Sequence, residues 1–174
     1  MVYMTKYKIP LGDIYLASDG VNLVGLWFEG QKYFGYGIDK DVVFKDDLVI
    51  FAKTKLWLER YFKGDKPKIK ELPLAFMKSS DFQKLVWLEL INIPYGEVIS
   101  YKELAMRIAR TMGRETMSPQ AIGNAVSHNP ISIIVPCHRV VGKHGEITGY
   151  ASGIENKIKL LELEKVNLKE MKEV

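Results

Sequence analysis

The chain has 174 residues, of which 47% are hydrophobic and 26% are charged. This length suits one compact domain or two small ones, and the composition excludes a disordered chain. The formal net charge of +4 permits a polyanionic partner without requiring one. No stretch approaches ~18 consecutive apolar residues, so no membrane span is expected, and the N-terminal residues have no apolar segment typical of a signal peptide.

The sequence contains one cysteine, Cys137. A single cysteine cannot form an intramolecular disulfide, and a zinc site built on thiolates needs several of them. We therefore expect neither a disulfide nor a bound metal. A free thiol also indicates a reducing compartment, so the predicted location is the cytoplasm.

The first part of the sequence predicts a small antiparallel sheet followed by one helix. Residues 3–9, 14–17 and 23–28 are rich in β-branched and aromatic side chains, and turn residues separate them. The glycines in 30–46 favour a loop. The apolar face of the following helix is expected to end at Gly64.

A polar, proline-containing stretch, residues 63–75, predicts a linker between two subdomains. Serine residues then mark the starts of four helices. Three of them have the spacing of a capping box, at 80–83, 100–103 and 152–155. The fourth begins with Ser118 as N-cap and a proline at the first helical position.

The surroundings of Cys137 indicate a reactive thiol rather than a packing residue. It follows an apolar run, residues 131–135, and precedes His138 and Arg139. Cationic groups or a histidine partner lower the pKa of a thiol and produce a nucleophilic thiolate, so we predict His138 as its base. Such a base needs an orienting carboxylate, and the spacing leaves three candidates: Glu155, Glu162 and Glu164.

Two short helices, predicted at 101–110 and 118–127, form a pair that resembles a helix-turn-helix element. The second is slim, so its backbone can approach a DNA groove closely. Residues 98–145 have a net charge of +4. From the pattern alone, an ordinary hairpin with a solvated basic face is the better explanation, because the turn is longer than in a typical helix-turn-helix. The cationic residues are Lys102, Arg107, Arg110, Arg114, Arg139 and Lys143.

The motif PCHRVV at 136–141, with NP at 129–130 before it and GY at 149–150 after it, closely resembles the alkylguanine-DNA alkyltransferases. These proteins are also called methylated-DNA–protein-cysteine methyltransferases. The similarity runs from about residue 80 to residue 165. It includes two further stretches, YGEVISY at 95–101 and AIGNA at 121–125.

The resemblance implies a role for each matching residue. Cys137 is the alkyl acceptor, His138 is the base that deprotonates it through a water molecule, and Glu164 holds the histidine. Asn129 orders the turn that leads to the cysteine, and Tyr101 crowds the phosphate beside the lesion and helps to protonate the departing guanine. The residues implied to form the guanine pocket are Val140, Tyr150, Ala151, Ser152 and Val126.

The resemblance also makes 118–127 a recognition helix that enters the minor groove of double-stranded DNA. In the family an arginine typically fills the gap left by the flipped base, and the corresponding residue is Gln120, which lacks the charge and the reach of arginine. Some relatives have serine at the position of Ala151. The implied DNA-binding residues are Ser118, Gln120, Ala121, Gly123, Asn124 and Arg114.

The implied reaction is repair of alkylated DNA by direct reversal. The damaged nucleotide is flipped out of the duplex, and the thiolate of Cys137 displaces guanine from the alkyl group of 6-O-alkylguanine. Alkylated thymine, modified at its 4-O position, is a second candidate substrate. Because the thioether is permanent, each molecule reacts once, and the resemblance implies a monomer that needs no cofactor.

Two other classes of function stay open. The first is a non-catalytic protein that recognises alkylated bases. Relatives with that function lack the acceptor cysteine, whereas this chain has Cys137. A redox-sensing DNA-binding domain requires this cysteine to be exposed and reactive with peroxide. We expect an α+β fold with an N-terminal sheet-plus-helix subdomain and linker over 1–75. A mostly helical domain over 76–174 then carries the DNA-binding element and the acceptor cysteine.

Overall fold

The computed structural model of the protein describes residues 1–38 and 41–168. The chain forms two compact units. Of the described residues, those up to residue 79 and those in 130–132 form the first unit, and those in 80–129 and 133–168 form the second. Among the described residues, every helix is too short or too polar to span a membrane.

The first unit contains a four-stranded sheet with the order β3-β2-β1-β4. Strands β1 (Val2–Ile9), β2 (Gly12–Ser18) and β3 (Leu23–Phe28) form the predicted antiparallel meander. Strand β4 (Val42–Phe44) pairs with β1 in parallel, so the sheet is mixed.

The prediction of a loop over 30–46 was therefore wrong at residues 42–44. This strand has only three residues, too few to display the alternation that identifies a strand. Its pairing with β1, where Val42 lies opposite Val2, is a tertiary contact that no local pattern indicates.

Helix α1 (Val49–Phe62) packs an apolar face that includes Phe51 and Leu58 into this unit. It ends before Gly64, whose φ of 89° is in the left-handed region, as the sequence predicts. The linker prediction for 63–75 was wrong at its end. Leu23 donates its backbone N–H to the carbonyl of Pro73 at 2.8 Å and accepts from the amide of Ala75 at 3.1 Å, so this end of the stretch pairs beside β3.

The second unit is mostly helical, as predicted. It contains α2 (Asp81–Ile91), α3 (Tyr101–Thr111), α4 (Pro119–Ser127) and α5 (Ile154–Leu163). A short parallel pair of strands, β5 (Ile99–Ser100) and β6 (Val140–Val141), joins the start of α3 to the segment after the cysteine.

The predicted capping box at the start of α2 is confirmed. The hydroxyl of Ser80 accepts from the amide of Gln83, and the Gln83 side chain accepts from the amide of Ser80, both at 3.0 Å. At the start of α3 the box is incomplete. Ser100 caps the amide of Glu103, but the Glu103 carboxylate accepts from Arg107 at 3.2 Å instead of returning to the cap.

The remaining two helix starts differ from each other. Ser118 caps α4 as predicted, accepting from the amide of Ala121 at 3.2 Å, and proline follows it. The capping box predicted at 152–155 was wrong, because Gly153 is the N-cap residue of α5 and its φ is 108°. The hydroxyl of Ser152 instead accepts from the side chain of Asn156 at 3.1 Å.

Helices α2, α3 and α4 hold one another through buried and polar contacts. The indole N–H of Trp87 on α2 donates to the carbonyl of Ala125 on α4 at 2.8 Å, and the tryptophan is fully buried. Arg107 on α3 lies 3.6 Å from Glu89 on α2. These contacts fix the position of α4 and leave its opposite face to solvent. The buried side chains of this core include Leu90, Leu104, Ile108 and Ile122.

Candidate active site

Cys137 begins a short 3-10 helix, Cys137–Arg139, directly after a buried apolar segment. Its amide donates to the carbonyl of Val135 at 2.8 Å, a tight turn that the fixed φ of Pro136 (−84°) supports. The cysteine is 7% exposed. Burial raises the pKa of its thiol above the ordinary value, although a hydrogen bond from Asn129 and the charge of Lys157 act in the opposite direction. The resting side chain is therefore a neutral thiol.

Asn129, just after α4, braces this turn. Its side-chain amide donates to the carbonyl of Val135 at 2.8 Å, and the residue is buried. The contact joins residues six positions apart in the chain and holds the backbone that presents the thiol.

His138, Arg139 and Glu164 form a buried hydrogen-bonded cluster. The imidazole Nε2 of His138 lies 2.6 Å from Oε2 of Glu164. A carboxylate can only accept, so we assign the proton to Nε2, which leaves Nδ1 with a free lone pair. This Nδ1 is buried and has no hydrogen-bond partner among the described residues. The other two candidate carboxylates, Glu155 and Glu162, are exposed.

Burial and charge together set the protonation states of His138 and Glu164. Burial alone would raise the pKa of Glu164, but hydrogen bonds from His138 and Arg139 and their charges hold that pKa well below its usual range. Burial lowers the pKa of His138, against the effect of Glu164, so the imidazole is neutral at physiological pH. A neutral imidazole with an open Nδ1 can accept a proton.

Arg139, counted above only in the local basic charge, has a structural role that the sequence did not predict. The guanidinium is buried and donates to both carboxylate oxygens of Glu164, through Nε at 2.8 Å and Nη2 at 3.1 Å. Its Nη1 donates to the carbonyl of Ile93 at 2.7 Å. Its place between His138 and Val140 gave no signal that the guanidinium would lie inside the protein.

Lys157 is the functional candidate that the sequence did not indicate at all. It lies on α5, is fully buried, and donates from Nζ to the carbonyl of Val140 at 2.7 Å. Burial lowers its pKa to about 8, and the nearby Cys137 raises it. The ammonium group therefore lies close enough to the acceptor cysteine for their charges to interact.

Among the remaining predicted site residues, Tyr101 and Tyr150 interact with Cys137 or His138. Tyr101, at the start of α3, accepts a hydrogen bond from Thr148 at 3.4 Å. Burial raises its pKa, and the nearby Cys137 raises it further, so the phenol stays protonated. The rings of Tyr150 and His138 meet edge to face at 6.5 Å. Ala151 and Ser152 are half-buried, and Val126 is buried on the inner face of α4.

Helix α4 presents an uncharged, slim outer surface. None of its nine residues carries a charge. Gln120 and Asn124 are exposed, and a Cβ built on Gly123 would meet no heavy atom within 4 Å. The protein's own packing therefore does not require glycine at this position. Ser118 is exposed at the N-cap, and Ala121 is half-buried.

The basic charge near α4 is smaller than the sequence suggests. Arg107 is ion-paired with Glu103 and Glu89, and Arg139 is buried against Glu164. The other four cations are exposed and form no ion pair within the part of the chain that the structure describes: Lys102, Arg110, Arg114 and Lys143.

Fold and site together define a two-unit protein in which a helical unit presents a buried cysteine beside a histidine–glutamate pair. Two parts of the chain match the two domains of one protein family. Residues 2–76 match the ribonuclease-like domain of 6-O-methylguanine DNA methyltransferase, and residues 81–166 match its DNA binding domain. The chain belongs to this methyltransferase family.

Individual relatives agree with this assignment. The methylated-DNA–protein-cysteine methyltransferase of Methanosarcina mazei is 41% identical over 168 residues, covering 97% of this chain and 100% of the relative. That of Haemophilus influenzae is 38% identical over 165 residues, covering 95% and 87%. A crystal structure of Mycobacterium tuberculosis OGT in complex with DNA superposes with a TM-score of 0.81 at 35% identity, covering 98% of this chain and 95% of that one.

Proposed function

We propose that this protein repairs double-stranded DNA by direct reversal, transferring the alkyl group of 6-O-alkylguanine to the sulfur of Cys137. The observation that carries the proposal is the buried cysteine whose neighbour, His138, is tied to a buried carboxylate at 2.6 Å. The family and its DNA binding domain supply the substrate class. Because the thiol must stay reduced until it meets a lesion, we place the reaction in a reducing compartment, the cytoplasm.

The proposed step is a single displacement at the alkyl carbon. The thiol proton moves through a water molecule to Nδ1 of His138, as the family resemblance implies, and Glu164 stabilises the imidazolium that forms. The sulfur–carbon bond then forms as the carbon–oxygen bond breaks. The electron pair of that bond stays on guanine, and Tyr101 donates a proton to the departing base. The thioether is not reversed by thiol chemistry, so each molecule acts once.

The burial of Cys137 bears on the alternative functions. A redox sensor needs an exposed cysteine with a lowered pKa, whereas here the thiol is buried and its pKa is raised. A recognition protein without chemistry needs no braced nucleophile, yet Asn129 and the Glu164 cluster hold the Cys137 segment rigidly. Both observations favour the alkyl acceptor.

The test is the intact mass of the protein after incubation with a duplex that contains one 6-O-methylguanine. We expect a gain of one methyl group per protein molecule, located on Cys137, and no second turnover. The Cys137→Ala variant should gain no mass while still binding the duplex. Tight binding of the lesion by the unaltered protein without any mass change would contradict the proposal and favour the recognition function.

Gly123 tests the proposed contact between α4 and DNA. Replacing this half-buried helical glycine by alanine should stabilise the protein by up to about 1 kcal/mol, because alanine loses less backbone entropy and the added Cβ has open space. If α4 enters a groove, Gly123→Leu should weaken duplex binding in a titration, since the larger side chain keeps the backbone away. Methyl uptake from the free 6-O-methylguanine base, which needs no groove, is the control and should not change. Unaltered duplex binding by Gly123→Leu would place the DNA elsewhere.

A further inference from the structure

We propose that Tyr95, in the turn between α2 and β5, is a positioning residue for the alkyl transfer. It holds the C-terminal end of α5 and thereby keeps Glu164 where this carboxylate accepts a hydrogen bond from His138. The inference rests on the proposed function and deepens it, because it makes this turn part of the machinery that orients the base. We call residues 93–96 the clamp turn.

Glu164 lies at a helix end, where the helix alone does not fix a side chain. It is the C-cap residue of α5, and the next residue, Lys165, has a φ of 60°, so the helix stops there. Helix ends fray, because their last carbonyl groups have no partner inside the helix. Yet Oε2 of Glu164 lies 2.6 Å from Nε2 of His138, in a hydrogen bond that weakens steeply when its geometry changes. Contacts from outside α5 are therefore needed to hold its end.

The clamp turn supplies two such contacts from adjacent residues. The hydroxyl of Tyr95 donates to the carbonyl of Leu163, one of the last carbonyl groups of α5, at 3.2 Å. The amide of Gly96 donates to Oε1 of Glu164, also at 3.2 Å. Gly96 has a φ of 80°, and a Cβ at this position would lie 3.1 Å from the carbonyl oxygen of Glu164, so the close approach favours glycine. The turn thus holds both the backbone and the side chain at the end of α5.

The same turn also supports the guanidinium of Arg139. The centre of this group lies 5.7 Å from the centroid of the Tyr95 ring, within the range of a cation–π interaction. Its Nη1 donates to the carbonyl of Ile93, the first residue of the clamp turn. Tyr95 therefore contacts, through its ring, the cation that donates to both oxygens of Glu164.

Together these donors leave the Glu164 carboxylate one orientation. Its Oε1 accepts from the amide of Gly96 and from Nε of Arg139, and its Oε2 accepts from Nε2 of His138 and from Nη2 of Arg139. Each oxygen thus has two donors, which matches its two lone pairs. A shift of the helix end away from the clamp turn would lengthen the bond to His138, the group that takes the thiol proton in the proposed function.

The test is Tyr95→Phe, which removes the hydroxyl and leaves the ring beside Arg139. With a saturating duplex that contains one 6-O-methylguanine, the rate constant of methyl transfer should fall about fivefold, the effect of one lost hydrogen bond. The affinity for the duplex should not change. The proton NMR resonance of the imidazole Nε2–H of His138 should move upfield, because its hydrogen bond to Glu164 lengthens. Tyr95→Leu, which also removes the ring from Arg139, should enlarge both effects.

Tyr15→Phe is the matched control. Tyr15 is half-buried, as Tyr95 is, and its hydroxyl donates to the carboxylate of Glu29 at 3.3 Å in the first unit. This variant loses the same chemical group outside the second unit, so its transfer rate and its His138 resonance should equal those of the parent. The comparison separates positioning of Glu164 from a general effect of losing a tyrosine hydroxyl.

The outcomes separate this inference from the proposed function. A rate and a resonance that both equal the parent's in Tyr95→Phe and Tyr95→Leu would overturn the inference. Either change without the other would also overturn it, because a positioning residue acts on the reaction through His138 and Glu164. A loss of duplex affinity with an unchanged rate at saturation would assign Tyr95 to DNA binding instead. If the parent transfers no methyl group from DNA, the proposed function fails, while the resonance still decides whether Tyr95 holds Glu164.

Discussion

Glu164→Gln is expected to lower the free energy of unfolding by about 3–5 kcal/mol, which is a large part of the stability of a typical domain. Glutamine has nearly the same shape as glutamate, but it removes the negative charge that compensates the buried guanidinium of Arg139. It also turns one acceptor into an N–H donor, which must face either His138 or Arg139, both of them donors at this point. The measurement is denaturant unfolding of the parent protein and of Glu164→Gln, both without an alkyl group on Cys137.

Glu162→Gln is the matched control, because this carboxylate is on the same helix and exposed. Its effect should stay within about 0.5 kcal/mol. A Glu164→Gln protein as stable as its parent at neutral pH would show that the cluster with Arg139 contributes nothing to folding.

Acid should weaken the same cluster in a predictable range. Glu164 has a lowered pKa in the folded protein, so its contribution is present above the unfolded-state pKa of about 4.3 and is lost as pH falls through the folded value. The difference between parent and Glu164→Gln should therefore narrow below about pH 4. His138 also makes the folded protein less stable in acid. Burial lowers the pKa of His138 in the folded protein, whereas the unfolded chain begins to bind this proton near pH 6.5.

Lys157→Met is expected to slow methyl transfer at pH 7 by about 10- to 100-fold, with little loss of stability. Methionine fills the same space. Within the part of the chain that the structure describes, the buried ammonium has no carboxylate partner, and it donates to the carbonyl of Val140. The loss of that hydrogen bond costs about 1 kcal/mol, and the desolvation of a cation is avoided. The rate falls because the ammonium stabilises the developing thiolate of Cys137.

The dependence on pH distinguishes this role from a structural one. The pKa of Lys157 is about 8 in the folded protein, so its charge and its effect on the thiolate disappear above that pH. The ratio of parent to Lys157→Met rates should be largest below pH 8 and should decrease above it. Because the unfolded chain binds the lysine proton up to about pH 10.4, the parent should also gain stability relative to the variant between pH 8 and 10.4. Lys159 is an exposed neighbour on α5, and Lys159→Met should change neither the methyl-transfer rate nor the stability. A ratio of parent to Lys157→Met rates that stays constant across pH 8 would exclude the electrostatic role.

Local patterns predicted much of the secondary structure and the acceptor. The meander of β1 to β3, the starts of α2 and α4 and the end of α1 all follow from residues within one turn of each boundary, so propensity and capping specify them. The motif around Cys137, with its family resemblance, indicated the acceptor cysteine and His138. Strand β4 and the pairing of residues 73–75 with Leu23 were missed, because their hydrogen-bond partners are distant in sequence.

The sequence by itself determined the chemistry available to this protein: one thiol, an adjacent histidine and a slim, uncharged helix. Only the tertiary structure decided which groups act together. It selected Glu164 over Glu155 and Glu162, turned Arg139 from a surface cation into the buried partner of that carboxylate, and brought Lys157 towards Cys137. The physical reason is that burial and pairing set the charge of these groups. The paired residues are 20 or more positions apart along the chain, so a local sequence pattern cannot predict which of them meet.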